Sequence, residues 1–173
     1  MNILIGLEAV TAIVQECLIM ENKPDGIFHD VESIITVTDN EDGIEEPCIW
    51  INHHPTIPAT GSKTSLSSTI KLASTFEFVC IEYDPNPEIA QQKGQNLASR
   101  VVLAIAKNYQ LVQKKYGERV IKNIEFNRFN PVGTVQIVGK SDKIPATSVV
   151  LDFIHVIDWL NCCKKMIKEE NKR

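Results

Sequence analysis

The feature that most constrains this chain is a long apolar strand segment joined to a long helical segment by two prolines. The strand segment runs from Thr69 to Tyr83, and the joint reads Asp84-Pro85-Asn86-Pro87. The helical segment then extends from Pro87 to about Gln113. Because a residue before proline favours extended backbone and proline suits the first turn of a helix, the joint predicts an abrupt change from strand to helix.

The strand segment is apolar on both of its faces near its centre. Phe76, Phe78 and Cys80 point to one side, and Val79 and Ile81 alternate with them on the other. Strands that stand at the edge of a sheet, or that have one face in water, usually alternate apolar with polar residues. We therefore predict that this strand is central in its sheet and is covered on both faces.

The helical segment has a clear beginning and one continuous apolar face. Asn86 is a good N-cap, and Pro87 fits the first helical position. The predicted core face steps by three or four residues through Ala90, Gly94, Leu97, Ala98, Val101, Ile105, Tyr109 and Val112. Gly94 and Ala98 would permit a close approach to a sheet or to another helix. At about 1.5 Å per residue the helix would reach ~40 Å, which is long for one small domain.

Residues 2–21 are predicted to form a first helix that is apolar on two sides. Its main apolar face consists of Ile3, Leu7, Val10, Val14 and Cys17. Its second apolar side consists of Ile5, Ala9, Ala12, Ile13 and Ile19. Such a helix is either buried within its own domain or wedged between the domain and a second subunit. Glu8 and Glu16 interrupt the apolar run, and no basic start precedes it, so a signal peptide or a membrane span is disfavoured.

The rest of the chain reads as strands, turns and one polar loop. Strands are predicted within 27–37 (one or two), and at 47–51, 120–129, 132–138 and 147–158. Residues 52–68 are rich in Ser, Thr and Pro and are predicted to form an exposed loop. A short helix from Trp159 to Lys168 and a charged tail at 165–173 follow. The expected fold is a single α+β domain over 1–173, in which a long central helix and an N-terminal helix pack on a mixed, mainly antiparallel sheet.

Composition and charge exclude some functional classes. The formal net charge is −4, whereas constitutive nucleic-acid binders usually carry a basic face. Basic residues gather near 114–122 and 164–173, where a solvated helix end and tail are expected and a nucleic-acid-facing patch is the alternative. The five cysteines form no CxxC pair, so a zinc site or a disulfide framework is not expected.

Three sets of polar residues are candidates for catalytic or metal sites. His53 and His54 are adjacent, so they point to opposite faces in a strand or lie about 100° apart in a helix and seldom bind one metal together. Both are expected to be exposed histidines of the loop. His155 could pair with Cys80, but no third member is evident, and a histidine at the surface or the core edge is the expectation. The carboxylates that could hold Mg²⁺ in a nuclease are Glu77, Glu82, Asp84, Asp152 and Asp158.

No complete catalytic set emerges from these candidates. The strands that carry the carboxylates lack the lysine, two residues beyond a carboxylate, that usually accompanies a Mg²⁺ nuclease site. The sequence also has no glycine-rich phosphate loop. We therefore predict a protein that is not an enzyme and has no cofactor and no bound metal.

The order of helices and strands along the chain is clearest in the segments STFEFVCIEYDPNPEIAQQKGQNLASRVVLAIAKNY and ATSVVLDFIHVIDW. Over about residues 1–160 this order resembles that of the tail-terminator and head-tail completion proteins of tailed viruses. The resemblance implies a structural protein of the tail or the head-tail neck. Such a protein forms a homo-oligomeric ring, commonly a hexamer, and contacts other tail or neck proteins.

The ring interpretation predicts specific interface residues and a location. The oligomer interface is expected to include Ile3, Leu7, Val10 and Val14 of the first helix and Lys63 of the loop. The protein is expected in the virion or the host cytoplasm, not secreted, and without membrane or sequence-specific nucleic-acid partners. The alternatives are a cellular adaptor or binding module and a small metal-dependent nuclease.

Overall fold

A computed structural model describes residues 7–36, 46–54, 57–58, 69–116, 120–136 and 143–158. Its helices are α1 (Leu7–Ile19) and α2 (Pro87–Gln113), and a short 3-10 turn (Lys114–Tyr116) follows α2. The strands are β1 (Ser33–Thr36), β2 (Cys48–His53), β3 (Ile57–Pro58), β4 (Thr69–Ile81), β5 (Ile121–Gln136) and β6 (Lys143–Asp158). Two helices and one mixed sheet make an α+β fold, as predicted.

The strands form one sheet in the order β1-β2-β4-β6-β5, and β3 also pairs with β4. The pair β1–β2 is parallel, and the other described pairs are antiparallel. The predicted central position of the strand that begins at Thr69 is confirmed, because β4 lies between β2 and β6. Its pairing with β6 runs from Thr69 opposite Asp158 to Ile81 opposite Ala146.

The joint between β4 and α2 has the predicted structure. Asn86 has extended backbone angles, and its side chain accepts a hydrogen bond from the Glu88 amide at 2.9 Å. The Asp84 carboxylate accepts one from the Asn86 amide at 2.9 Å. Free amides at the start of a helix need such partners. Two short polar side chains thus fix the point at which the chain leaves the sheet.

Both helices lie over one face of the sheet. The buried side of α2 packs on Phe76, Phe78, Val149, Leu151 and Phe153. Helix α1 contributes buried residues from both of its predicted apolar sides, and these are Ala9, Val10, Ile13, Val14 and Cys17. Leu18, which belongs to neither predicted side, is also buried. Within the described residues, no helix is long and apolar enough to cross a membrane.

Gly94 brings α2 close to β6. A Cβ atom at this position would lie 2.9 Å from Thr147 Oγ1, which is closer than real Cβ atoms approach. The close approach that the Gly94 and Ala98 pair predicted is therefore confirmed at Gly94.

The opposite face of β4 differs from the prediction. Its ends contribute buried apolar residues, since Ile81 packs with Cys48 and Ala146, and Ala73 packs with Ile154. Its middle instead carries polar side chains, which form hydrogen bonds described below. Continuous apolar cover on both faces is therefore wrong, because the polar residues of β4 face polar residues of β6 there.

Two boundaries also differ from the prediction. The described parts of the predicted strands 120–129 and 132–138 belong to one strand, β5, which continues past Pro131 through an irregular register. Part of the predicted 52–68 loop is strand, because β2 reaches His53 and β3 pairs with β4. Within the described residues 27–36 one strand, β1, forms, in agreement with the prediction of one or two. The predicted helix from Trp159 to Lys168 and the tail at 165–173 lie outside the described residues.

Candidate interaction surfaces and side-chain clusters

The residues predicted for an oligomer interface fall into three groups. Val10 and Val14 are fully buried in the core of their own subunit, so their side chains form no part of its exposed surface. Leu7 begins α1, and only its helical backbone is described. Ile3 and Lys63 lie outside the described residues. An interface at the N-terminal helix remains a prediction, and the exposed apolar residue described on α1 is Ile19.

Strand β5 forms a long free edge of the sheet. It pairs with β6 on one side, and no described strand pairs with its other side. A free edge presents a row of backbone N–H and C=O groups that can pair with another strand. Edge strands of soluble proteins are usually short or well covered, whereas β5 runs from Ile121 to Gln136. This edge is a candidate interaction surface on geometry alone.

Two exposed aromatic residues stand beside this edge and are here called the phenylalanine pair. Phe126 and Phe129 are 53% and 42% exposed, and their ring centroids lie 4.9 Å apart. They lie opposite Leu151 and Val149 of β6, whose side chains face the helices. The phenylalanine pair therefore continues the helix-covered face of the sheet beyond the cover that the helices provide.

Sequence reasoning missed the phenylalanine pair for a definite reason. Residues three apart in a regular strand point to opposite faces, so Phe126 and Phe129 should diverge. A register shift between Phe126 and Arg128 inserts one extra residue and returns both rings to the same face. A bulge depends on the partner strand, and the local sequence carries no clear signal for it.

Charged residues flank the phenylalanine pair along the strand. Lys122, Glu125 and Arg128 are all exposed, and Glu125 accepts a hydrogen bond from the Asn123 amide group at 3.1 Å. Charges on an edge strand oppose indiscriminate pairing. The edge therefore combines an apolar contact area with side chains that restrict which partner can bind.

The other exposed apolar residues are more dispersed. On α2 they are Ile89, Leu103 and Leu111, and helical periodicity places all three on the side away from the sheet. The half-buried Arg100, which donates hydrogen bonds to Ile27 O and Asp30, and the exposed Lys107 share that side of the helix. Single exposed apolar residues are common on soluble proteins. The phenylalanine pair differs because its two rings are in contact.

The face of the sheet away from the helices carries a polar network across four segments. Glu77 of β4 accepts hydrogen bonds from Ser148 Oγ at 2.8 Å and from Asn130 Nδ2 at 3.5 Å. His54 Nε2 lies 3.3 Å from the second Glu77 oxygen. Asn130 also donates to Ser148 Oγ at 3.0 Å. Both oxygens of this carboxylate are thus engaged by neighbouring side chains.

The carboxylates considered for a Mg²⁺ site do not converge. Asp152 accepts hydrogen bonds from Thr75 and Asn127, whereas Glu82 and Asp84 pair with Lys93 at 3.6 and 3.2 Å. The side chain of Asp158 lies outside the described set. No group of three or more potential metal ligands occurs among the described residues.

The adjacent histidines point to opposite faces of the sheet, and the expectation that both lie in an exposed loop is wrong because β2 extends to His53. His54 reaches Glu77 on the face away from the helices, and His53 stacks on Phe76 under the helices with centroids 4.5 Å apart. His155 is fully buried, and its Nε2 lies 2.8 Å from Ser74 Oγ. The expectation that His155 lies at the surface or core edge is therefore wrong.

Burial sets the chemistry of these groups. It lowers the pKa of the His155 imidazole, and the nearby His53 adds to the effect. Burial likewise lowers the pKa of His53, with a contribution from His54. Burial raises the pKa of the Cys80 thiol, so the thiolate is disfavoured.

A Cys80–His155 pair is not formed. Cys80 lies opposite Thr147 of β6, and His155 follows Thr147 by eight positions on the same strand. At about 3.3 Å per residue, this spacing separates the two side chains by roughly 26 Å. Cys80 and His155, the candidate nucleophile and base, therefore cannot act together.

The sequence matches no protein-family model and no curated protein sequence closely enough to indicate a relative.

Proposed function

We propose that this chain is a structural protein of the tail or head-tail neck of a tailed virus or prophage, and that it assembles into a homo-oligomeric ring. The observation that carries the proposal is the exposed phenylalanine pair, Phe126 and Phe129, beside the free edge of β5. The layout of the chain, which resembles tail-terminator and head-tail completion proteins, supplies the viral context. In that context the protein is located in the virion or the host cytoplasm.

The partner that fits this surface is a second copy of the same chain. The pairings make β1 parallel to β6 and antiparallel to β5, so the two outer strands of the sheet run in opposite directions. β5 of one copy can therefore meet β1 of the next as an antiparallel pair while both copies keep the same orientation. Such head-to-tail contacts generate closed rings when the rotation between copies closes.

The energetics favour covering the phenylalanine pair. Burying apolar surface contributes about 25 cal/mol per Å², and aromatic pairs contribute roughly 0.5–1.5 kcal/mol beyond their area. Edge pairing adds hydrogen bonds between the backbones of the two strands. One interface at this edge would therefore bury the exposed rings and pair the exposed backbone groups at the same time.

The experiment must leave α1 intact. Deletion of residues 1–21 would remove Val10, Ile13 and Val14 from the core, so loss of assembly could reflect unfolding. We instead choose Phe126→Asn combined with Phe129→Asn, which changes exposed side chains. The matched control is Ile89→Asn combined with Leu103→Asn, which replaces two aliphatic residues of similar exposure on α2.

Light scattering and sedimentation velocity then give the mass of each variant. The unaltered chain and the α2 control should run several-fold above the 19.4 kDa subunit, whereas the β5 variant should run as a folded monomer. A wild-type chain that stays monomeric at high concentration would contradict the ring and favour a cellular adaptor module. Assembly that survives in the β5 variant would reject this surface as the interface.

A further inference from the structure

A second feature, independent of assembly, is a polar cluster made of the buried, hydrogen-bonded Ser74 and His155 and of the half-buried His53 nearby. The cluster lies on the helix-covered face, toward one end of the sheet, and joins β2, β4 and β6. Phe76 and Phe153 border it, with their ring centroids 5.3 Å apart in an edge-to-face arrangement.

The hydrogen bonding of His155 is incomplete. Its Nε2 is paired with Ser74 Oγ, and both residues have no solvent exposure. Its Nδ1 is buried, and no hydrogen-bond partner for it occurs in the described part of the chain. A neutral imidazole can leave a lone pair at Nδ1, but an imidazolium has an N–H donor at both nitrogens. Protonation would therefore bury a charge together with an unsatisfied donor.

His53 lies nearby and is half-buried. Its ring stacks on Phe76 at 4.5 Å, and its Nε2 is buried without a partner among the described residues. A positive charge on His53 disfavours one on His155. The neighbouring imidazole therefore adds to the preference of His155 for the neutral state.

No neighbouring carboxylate described here compensates a charge in the cluster. On the sheet, Lys71 and Glu77 of β4 face the opposite side, and Ile121 of β5 lies opposite His155. In the helix layer the burial of the Cys17 thiol raises its pKa to about 12. The two helix-layer carboxylates have their own partners: Glu16 with Lys115 and Tyr116, and Glu21 with Lys107 and Asn108.

We propose that His53, Ser74 and His155 form an acid-sensitive latch, which stabilises this end of the sheet at neutral pH and stabilises it progressively less as the pH falls below about 6.5. His53 is the last residue of β2 and lies opposite Phe76. Proton uptake would therefore first loosen the end of β2 and its contact with β4.

The sign of the effect follows from linkage. Both imidazoles have a lower pKa in the folded chain than in the unfolded chain. Their stabilising contribution is fully present above the unfolded value, near 6.5, and is lost as the pH falls below it. Between pH 7.5 and 5.5, the unfolding equilibrium constant should increase about tenfold for each imidazole that stays neutral in the folded state.

The test combines proton titration by NMR with equilibrium unfolding. In the wild-type chain, the four histidines are titrated individually through their ring nitrogens. His155 and His53 should remain neutral at a pH where the histidine of an unstructured reference peptide is already protonated. Denaturant unfolding at pH 7.5, 6.5 and 5.5 then compares the wild type with His53→Gln, His155→Gln and the control His29→Gln.

The His29→Gln control should show the same increase of the unfolding equilibrium constant between pH 7.5 and 5.5 as the wild type. In each of the other two variants this increase should be about tenfold smaller. Titration of His155 at the pH of the reference peptide would overturn the proposal, as would an unchanged pH dependence of unfolding in both cluster variants. The wild-type titration decides the question even if one variant fails to fold.

Discussion

At the scale of single residues, the core depends most on aromatic side chains of β4. Phe78 is fully buried between the helices and the sheet. Phe78→Ala should lower the free energy of unfolding by about 3–5 kcal/mol, because it removes apolar contacts and leaves a cavity. Chemical denaturation measures this loss. Phe126→Ala on the exposed edge is the control and should lower the free energy of unfolding of the subunit much less. A loss under about 1 kcal/mol at Phe78 would reject its burial.

Gly94 is a second residue whose substitution has a definite expected sign. Alanine is favoured over glycine in a helix by about 1 kcal/mol. Its methyl group would, however, meet Thr147 at 2.9 Å from Oγ1 and 3.3 Å from Cβ, and Thr147 is itself buried. Overpacking of this kind costs about 1–3 kcal/mol. We expect Gly94→Ala to destabilise the chain in a thermal or denaturant melt. In a Thr147→Ala background the same substitution should become neutral or stabilising, and an equal cost in both backgrounds would exclude this contact as the cause.

Glu21 is a buried carboxylate with three donors. Burial raises its pKa, but hydrogen bonds from Asn108, Lys107 and the Ile27 amide outweigh burial, so its pKa is lowered overall. Its stabilising effect is therefore present above the unfolded pKa, near 4.3, and is lost as the pH falls through the folded value. Glu21→Gln should cost about 1–3 kcal/mol at pH 7.

The difference between Glu21→Gln and the wild type should shrink in denaturant melts below pH 4. This range lies well under the one used for the histidines, so the two effects are separable. A difference that stays constant from pH 7 to pH 3 would show that the charge of Glu21 contributes nothing.

At the scale of elements, local signals predicted α2 and its junction well. The Asn86 cap and Pro87 act within one turn, so their effect does not depend on distant partners. The cap can be tested directly, because Asn86→Ala should cost about 1 kcal/mol and Asn86→Gly only a few tenths. Thermal melts of the two variants give the comparison, and equal losses would argue against a capping role.

β5 shows why other elements were harder to predict. Pro131 and the alternation on either side of it suggested two strands. A proline lacks the N–H that a central strand needs, but an edge strand tolerates it at an irregular position. The register shifts that join the two halves are set by β6. The exposed phenylalanine pair follows from one of these shifts, so it could not be inferred before the pairing was known.

The histidine cluster was predictable only in part. The expectation of an exposed loop at His53 and His54 is wrong because β2 extends to His53, and alternation along the strand then sends the two side chains to opposite faces. The partner of His155 is Ser74, which is 81 positions away in the sequence, and no local pattern connects the two. Long-range strand pairing therefore decided the burial of His155, whereas residue order decided the orientation of the adjacent pair.

At the scale of the whole molecule, self-assembly predicts a melting temperature that depends on concentration. Association that stabilises only the folded state shifts unfolding by mass action. For a chain of this size, a tenfold higher concentration should raise the melting temperature by about 2–4 °C. Scanning calorimetry over a hundredfold range provides the measurement. The Phe126→Asn/Phe129→Asn variant should show no such dependence, and an equal shift in both proteins would point to another interface.

The strand order also has a consequence for biosynthesis. β6 follows β5 in the sequence, yet it lies between β4 and β5 in the sheet. During translation, β5 therefore emerges before the strand that connects it to the rest of the molecule. One side of β4 stays unpaired until Lys143–Asp158 has left the ribosome, and unpaired strand edges favour aggregation of incomplete chains. The nascent protein is thus most vulnerable late in its synthesis, when most of its core residues have already been made.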